Sequence, residues 1–175
     1  MNRAQLEHLI RAAATIADDD EIVIVGSQSV LGQHPDAPAA LLASMEADLY
    51  PRNHPERWDL IDGSIGEGSP FHSTFGYYAQ GVGPETAILP AGWESRAIRI
   101  NTSGTRGATG IALEIHDLLV AKYAAGRDKD RAFGRTAFES GLALPEKVLE
   151  RAATAPLDDA QQGKVAAMVR ADARR

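Results

Sequence analysis

The stretch IVIVGSQSVLGQ, residues 22–33, passes from four branched apolar residues to a Gly-Ser turn and then to a second apolar segment. A short apolar run that ends in a turn signal predicts a buried strand, here over residues 21–26. A helix is predicted to begin near Ser27 and to carry Val30 and Leu31. The unpaired N–H groups and the positive dipole end at such a helix start favour phosphate. Gly26 and Ser27 are therefore predicted to bind an anionic group, although a plain helix cap also explains Ser27.

The composition narrows the classes of protein that this chain can belong to. Its 175 residues are enough for one domain with a core, and the net charge of −6 excludes a general attraction to nucleic acid. The absence of cysteine excludes disulfides and cysteine-ligated zinc. No apolar run reaches the roughly 20 residues of a spanning helix, and the amino terminus does not resemble a signal peptide. We expect a cytoplasmic protein with no membrane contact.

Hydrophobic periodicity predicts an α+β fold, in which helices flank a mixed sheet and a helical part follows. The predicted core spans residues 1–115, and the helical part, residues 116–175, is expected to pack on it as one compact unit. The predicted strands are 21–26, 45–51, 73–82, 86–89, 96–101 and 109–114. The predicted helices are 3–18, one from about 27, 55–66, 116–126, 128–140, 145–153 and 158–173.

The segment MEADLYP, residues 45–51, alternates apolar and acidic residues with the period of a strand. Glu46 and Asp48 stand two residues apart, so both carboxylates point to the same face of that strand. Two neighbouring carboxylates repel each other unless a cation lies between them or water covers them. Mg²⁺ is commonly held by one or two carboxylates together with substrate phosphates, so the pair is a candidate metal site. A polar, solvated strand face is the alternative.

The segment HDLLVAKYAAGRDKDRAF, residues 116–133, has an apolar side and a cationic side that includes Lys122 and Arg127. Asp130 follows Arg127 by one helical turn and is predicted to orient Arg127 or Lys122. The functional interpretation is a cationic arm that contacts a triphosphate. An ordinary charged helix surface is the alternative.

These three motifs resemble those of a known group of enzymes. Gly26-Ser27 followed by Glu46-x-Asp48 resembles the signature of the DNA polymerase β-like nucleotidyltransferase superfamily. The segment DLLVAKYAAGRDKD, residues 117–130, resembles the Lys-x-x-Ala-x-Arg-x-x-Asp segment of abortive-infection nucleotidyltransferases, which include toxins of toxin–antitoxin systems.

The resemblance implies a nucleotidyltransferase-like fold and transfer of a nucleoside monophosphate from an NTP to a hydroxyl of RNA, such as tRNA, or of protein. It implies that Ser27 and Lys122 contact phosphate, that Glu46 and Asp48 hold Mg²⁺, and that Asp130 lies near the catalytic site. It also implies a role in a toxin–antitoxin or phage-defence system, with a cognate antitoxin or other protein as partner.

The chain departs from this signature in three places. The spacer between Ser27 and Glu46 is long, with an insert around HPDAPAA, and the first metal position is Glu instead of Asp. A third carboxylate, the base for the attacking hydroxyl, has no clear place. Gln80, Glu85 and Glu114 are the alternatives for that position. If Gln80 occupies it, a catalytically weak or inactive module that binds nucleotide or a partner becomes the alternative function.

For other charged and aromatic residues, the sequence predicts only whether they are exposed or buried. The acidic run at residues 18–20 is predicted to be a solvated turn, and Arg96 and Arg99 are predicted to be solvated on a strand. Tyr77 and Tyr78 face opposite sides of a strand, so one is predicted to enter the core and the other to reach the cleft.

Overall fold

A computed structural model describes residues 1–174, which form nine α-helices and five β-strands. The strands are β1 (Glu21–Ile24), β2 (Glu46–Pro51), β3 (Tyr78–Gly81), β4 (Ile98–Ile100) and β5 (Thr109–Ala112). The helices are α1 (Arg3–Ala17), α2 (Val30–Gln33), α3 (Trp58–Ile65), α4 (Pro70–Phe75), α5 (Trp93–Arg96), α6 (Ile115–Ala125), α7 (Asp128–Glu139), α8 (Pro145–Ala152) and α9 (Asp159–Asp172). Arg175, the last residue of the predicted helical part, lies outside the described residues. Among residues 1–174, no helix combines the length and the apolarity needed to cross a bilayer.

The strands form one mixed sheet in the order β3-β2-β1-β5-β4. The pairs β1–β5 and β2–β3 are parallel, whereas β1–β2 and β4–β5 are antiparallel. This sheet and its flanking helices confirm the predicted α+β, nucleotidyltransferase-like fold class.

Each face of the sheet contributes to its own apolar cluster. Ile22, Ile24 and Leu49 pack with α1 and α3 on one face. Val23 and Ile111 on the other face belong to a cluster that extends into α6, α7, α8 and α9. Since Ala47 and Leu49 join the α1 cluster, the alternation of β2 directs Glu46 and Asp48 toward the face that carries the C-terminal helices.

Two predicted strands are wrong in extent or in type. Within predicted strand 73–82, a helix ends at Phe75 and only Tyr78–Gly81 pairs. Ser69 caps that helix, Pro70 begins it, and Gly76 ends it with a φ of 75°, all local signals that override the apolar alternation. Residues 86–89 form no strand, because Thr86 is the last residue of a 3-10 turn that begins at Pro84, and residues 87–89 pack as a loop against the C-terminal helices.

Two expectations of solvated charge are wrong at one residue each, Arg96 and Asp19, while Asp18 and Asp20 are exposed as predicted. Arg96 donates two hydrogen bonds, of 2.8 and 3.0 Å, to the fully buried carboxylate of Asp117, so it anchors α6 to the end of α5. Asp19, in the acidic run, is buried and accepts hydrogen bonds from the backbone of Glu21, Asn53 and His54. The buried carboxylates of Asp117 and Asp19 therefore each hold two parts of the chain together. Arg99 is more than half exposed, as predicted, and pairs with Glu21.

Candidate active site

The turn after β1 is tighter than the sequence predicted. Ser27–Ser29 forms one 3-10 turn, and the helix that follows has only four residues. The Ser29 hydroxyl donates to the Ile24 carbonyl and so closes the turn. The helix dipole that was expected at Ser27 is therefore weak, and any phosphate bound here would depend on the Ser27 hydroxyl, local N–H groups and a nearby cation.

The Asp48 carboxylate lies directly against the Gly-Ser turn. A Cβ atom added to Gly26 would sit 1.7 Å from Asp48 Oδ2, so only glycine leaves room for this carboxylate. The Val25 N–H donates to the Asp48 carbonyl over 3.1 Å, which holds the two strand ends in this register. The Gly-Ser turn and the acidic strand are therefore immediate neighbours.

Glu46 and Asp48 lie side by side on one face of β2, where their like charges repel each other. Burial, with the neighbouring Glu46 charge adding to it, raises the pKa of Asp48 to about 6. Glu46 accepts a hydrogen bond of 2.8 Å from the Tyr78 hydroxyl. Burial and this acidic partner raise the pKa of Tyr78 to about 12, so the phenol remains a donor at neutral pH. The pair has excess negative charge that a cation would neutralise.

The C-terminal helices bring cations to this pair. The Lys122 Nζ atom lies 2.9 Å from Ser27 Oγ and 3.2 Å from Asp130 Oδ1, and it sits 4.5 Å above the centre of the Phe133 ring. Lys122 is buried, and this burial lowers its pKa. Arg127 Nε donates to Asp130 Oδ2 over 2.5 Å. Burial alone would raise the pKa of Asp130, but the bond from Arg127 and the charge of Lys122 lower it.

These groups line one cleft of about 790 Å³ between strands β2 and β3 and helices α6 and α7. A cleft of this size is typical of small-molecule sites. The cleft brings together all of the predicted site residues, namely Gly26, Ser27, Glu46, Asp48, Lys122, Arg127 and Asp130. A separate cleft of about 860 Å³, lined by Arg11 and Arg106 among others, contains none of them.

The geometry also decides among the alternatives for the third carboxylate. Gln80 lines the cleft and stands opposite Asp48 in the β2–β3 register. Glu114 is instead the cap of α6, where it accepts bonds from the His116 backbone and ring. Glu85 does not line the cleft. Position 80, a glutamine, therefore occupies the place next to the acidic pair.

A comparison with protein families adds a finding that is independent of this geometry. Residues 4–135 match a family described as nucleotidyltransferase of unknown function (DUF6036), a range that covers more than half of the chain. The chain belongs to this nucleotidyltransferase family. No curated protein and no solved structure matched the chain.

The part of the chain that matches this nucleotidyltransferase family runs from α1 into α7, so it contains every predicted site residue. The resemblance noted in the sequence is thus confirmed at the level of a nucleotidyltransferase family. The abortive-infection type and the roles of the individual residues stay predictions.

The cleft of this member of the family offers two ligands for a divalent cation, whose remaining coordination positions water or substrate oxygens would fill. Within residues 1–174, no group of three or more His, Asp or Glu side chains is placed to hold a metal by itself. Glu46 and Asp48 nevertheless offer adjacent oxygen ligands with excess negative charge. Since Mg²⁺ typically takes one or two carboxylates plus phosphate oxygens and water, these two residues fit it as part of a Mg²⁺–triphosphate complex.

The sequence predicted the alternation of two tyrosines near the cleft, but it did not predict every contact there. The predicted alternation of Tyr77 and Tyr78 is confirmed, since Tyr77 is buried near His8 and Tyr78 bonds to Glu46 on the other face, although Tyr78 itself does not line the cleft. Which tyrosine faces the acidic pair depends on the strand register, which the sequence did not reveal. Phe133, beneath the Lys122 ammonium, was missed because a single aromatic residue on an amphipathic helix looks like ordinary core.

Proposed function

We propose that this protein transfers a nucleoside monophosphate from an NTP to a hydroxyl group of RNA, such as tRNA, or of protein. The observation that carries the proposal is the convergence of the Ser27 hydroxyl, the Lys122 ammonium and the carboxylates of Glu46 and Asp48 in one cleft. Donors for a triphosphate and ligands for a divalent cation are the components that nucleotidyl transfer needs. Family membership supports the same reaction class.

In this reaction the acceptor oxygen attacks the α-phosphorus, and the bond between the α-phosphorus and the bridging oxygen to the β-phosphorus breaks. Pyrophosphate leaves, and the hydroxyl proton passes to water. Ser27 and Lys122 bind the triphosphate, while Asp130 orients Lys122 and Arg127 through the bonds described above. Lys122 is held by contacts on both sides, so its charge needs little reorganisation when a triphosphate arrives.

Glu46 and Asp48 hold Mg²⁺ in this proposal. When bound, Mg²⁺ neutralises negative charge on the phosphates and on the two carboxylates. The raised pKa of Asp48 supports this role, because a cation restores the ionised form that burial and Glu46 disfavour.

The biological setting that we propose is a toxin–antitoxin or phage-defence system in the cytoplasm, with a cognate antitoxin as protein partner. This part rests on the resemblance of residues 117–130 to abortive-infection enzymes. An RNA acceptor needs local positive charge, because the net charge is −6. Arg127 and Lys129 are exposed and line the cleft, so they supply such charge beside the site.

The test incubates the protein with labelled NTPs, Mg²⁺ and total tRNA, and in parallel with cell protein. We expect metal-dependent transfer of label that the double variant Glu46→Ala/Asp48→Ala abolishes. The matched control is Asp59→Ala/Asp62→Ala, which removes two exposed carboxylates of α3 and should leave transfer unchanged. Label transfer by the Glu46/Asp48 variant at the wild-type rate would refute the proposal.

A second candidate is a nucleotide-binding or partner-binding module with little or no transfer. The specific observation in its favour is Gln80, a residue that cannot accept a proton, opposite Asp48. NTP binding measured by calorimetry without transfer to any acceptor, in a folded protein, would favour this candidate.

A further inference from the structure

Strand β3 places two side chains next to the acidic pair in a regular arrangement. The parallel register pairs Glu46 with Tyr78 and Asp48 with Gln80. Side chains of paired residues in neighbouring strands point to the same face. The face of the sheet that closes the cleft therefore carries a patch of four side chains, two acidic ones from β2 and two neutral ones from β3.

Tyr78 fixes the orientation of Glu46. Its hydroxyl donates to Glu46 Oε2 over 2.8 Å, and its ring contacts the His72 ring with centroids 4.5 Å apart. One oxygen of Glu46 is thereby engaged, which leaves the other for a cation. A hydrogen bond of this kind behind a ligating carboxylate is known to sharpen metal binding by fixing the ligand.

Gln80 limits the number of charged ligands. It is exposed in the cleft, and its amide oxygen is neutral, so it is a much weaker ligand for a hard cation than a carboxylate. The remaining carboxylate of the cleft, Asp130, is already engaged by Lys122 and Arg127. Within residues 1–174 the cleft thus offers Glu46 and Asp48 alone as carboxylates that are in no ion pair.

We propose that this site holds a single divalent cation, that Tyr78 is the positioning residue for its ligand Glu46, and that Gln80 stands where a carboxylate would strengthen the site or admit a second ion. The proposal rests on the proposed function only in its assignment of Glu46 and Asp48 as ligands. It concerns the free protein and can be measured without an acceptor or an NTP.

The experiment titrates Mn²⁺ alone into the protein and follows free Mn²⁺ by electron paramagnetic resonance. The wild-type chain should bind one Mn²⁺ in the cleft. Tyr78→Phe keeps the ring and removes the bond to Glu46, so the dissociation constant should rise about tenfold. Tyr77→Phe is the matched control, because its hydroxyl bonds to His8 on the other face and its loss should leave Mn²⁺ binding unchanged.

Gln80→Glu is the complementary variant, since it adds a carboxylate beside Asp48 without a change in side-chain length. Because the charge count of the ligands tunes cation affinity, it should lower the dissociation constant about tenfold or allow a second Mn²⁺ to bind, whereas Gln80→Ala should leave affinity and stoichiometry as they are. Two ions bound by the wild-type cleft, an unchanged affinity in Tyr78→Phe, or an unchanged affinity and stoichiometry in Gln80→Glu would each overturn the proposal.

The double variant Glu46→Ala/Asp48→Ala distinguishes failure of the inference about β3 from failure of the proposed function. If the double variant loses Mn²⁺ binding while Tyr78→Phe and Gln80→Glu bind Mn²⁺ like wild type, Glu46 and Asp48 are supported as metal ligands and the inference about β3 is wrong. If the double variant retains full Mn²⁺ binding, the ligand assignment fails and both proposals are overturned. Circular dichroism of each variant confirms that the compared proteins are folded.

Discussion

The Lys122 ammonium lies 2.9 Å from the Ser27 hydroxyl, although the two residues are 95 positions apart in the chain. The contact joins α6 to the turn that follows β1, across the edge of the cleft. Lys122 is buried, so its charge is aimed at this turn and is screened little by solvent. The candidate site is therefore built jointly by the first and the last thirds of the chain.

Removal of the Lys122 charge should weaken triphosphate binding. Lys122→Met keeps most of the buried side-chain volume and removes the donor that faces Ser27. We expect the dissociation constant for a non-hydrolysable NTP with Mg²⁺ to rise by about 100-fold, equivalent to about 3 kcal/mol. Calorimetry measures the affinity. Lys129→Met, at an exposed lysine of the same cleft, is the control and should change it less than about tenfold.

Asp130 should contribute strongly to stability because it compensates two cations. Its side chain is buried and contacts both Lys122 and Arg127. Asp130→Asn leaves Lys122 buried without a counter-charge, so the free energy of unfolding should fall by about 3 kcal/mol. Urea denaturation measures the change.

Arg127→Gln is the companion variant to Asp130→Asn. The Arg127 side chain is 62% exposed, so its loss should lower the free energy of unfolding by less than about 1 kcal/mol. Equal effects of the two variants would contradict the view that Asp130 compensates the buried Lys122.

Short-range patterns predicted much of this site. The run of apolar residues before Gly26 and the period-two spacing of Glu46 and Asp48 depend only on strand geometry, which applies in any fold. The spacing of Arg127 and Asp130 likewise follows from one helical turn, and the structure confirms that they pair.

Features that depend on topology could not be predicted in this way. The bond from Tyr78 to Glu46 requires that β3 pair with β2 in parallel, a register that no local pattern specifies. The apolar alternation of residues 73–82 predicts a strand and conceals the Ser-Pro start signal of the helix at Pro70–Phe75. The local pattern around Arg96 predicts a solvated side chain, since its partner, Asp117, lies 21 positions away in the chain.

The raised pKa of Asp48 predicts that ionisation of this carboxyl group lowers the free energy of unfolding. The folded chain binds the Asp48 proton more tightly than the unfolded chain does, since the pKa rises from 3.8 to about 6 on folding. The free energy of unfolding should therefore fall as pH rises from about 4 to about 6, by up to about 3 kcal/mol from this group. Above about pH 6 the full cost is present, and below about pH 4 it is absent.

Asp48→Asn isolates this effect, because asparagine has a similar shape and does not titrate. Urea denaturation without divalent cations should show the variant gaining stability over wild type as pH rises through this window. Added Mg²⁺ should then stabilise the wild type at pH 7.5 and leave the variant unchanged. A stability difference that is constant from pH 4 to pH 7 would contradict the assigned pKa.

Gly26→Ala should damage the site through steric contact with Asp48. The added Cβ atom would lie 1.7 Å from Asp48 Oδ2, so the carboxylate must move away from the turn. We expect Mn²⁺ affinity to fall by at least about tenfold and label transfer to fall with it. Gly63→Ala is a matched control, because a Cβ added there in α3 meets nothing within 4 Å. That variant should keep full Mn²⁺ affinity and gain about 0.5 kcal/mol of stability, since alanine favours the helix. Normal Mn²⁺ binding by Gly26→Ala would show that the Asp48 carboxylate does not need its position against the turn.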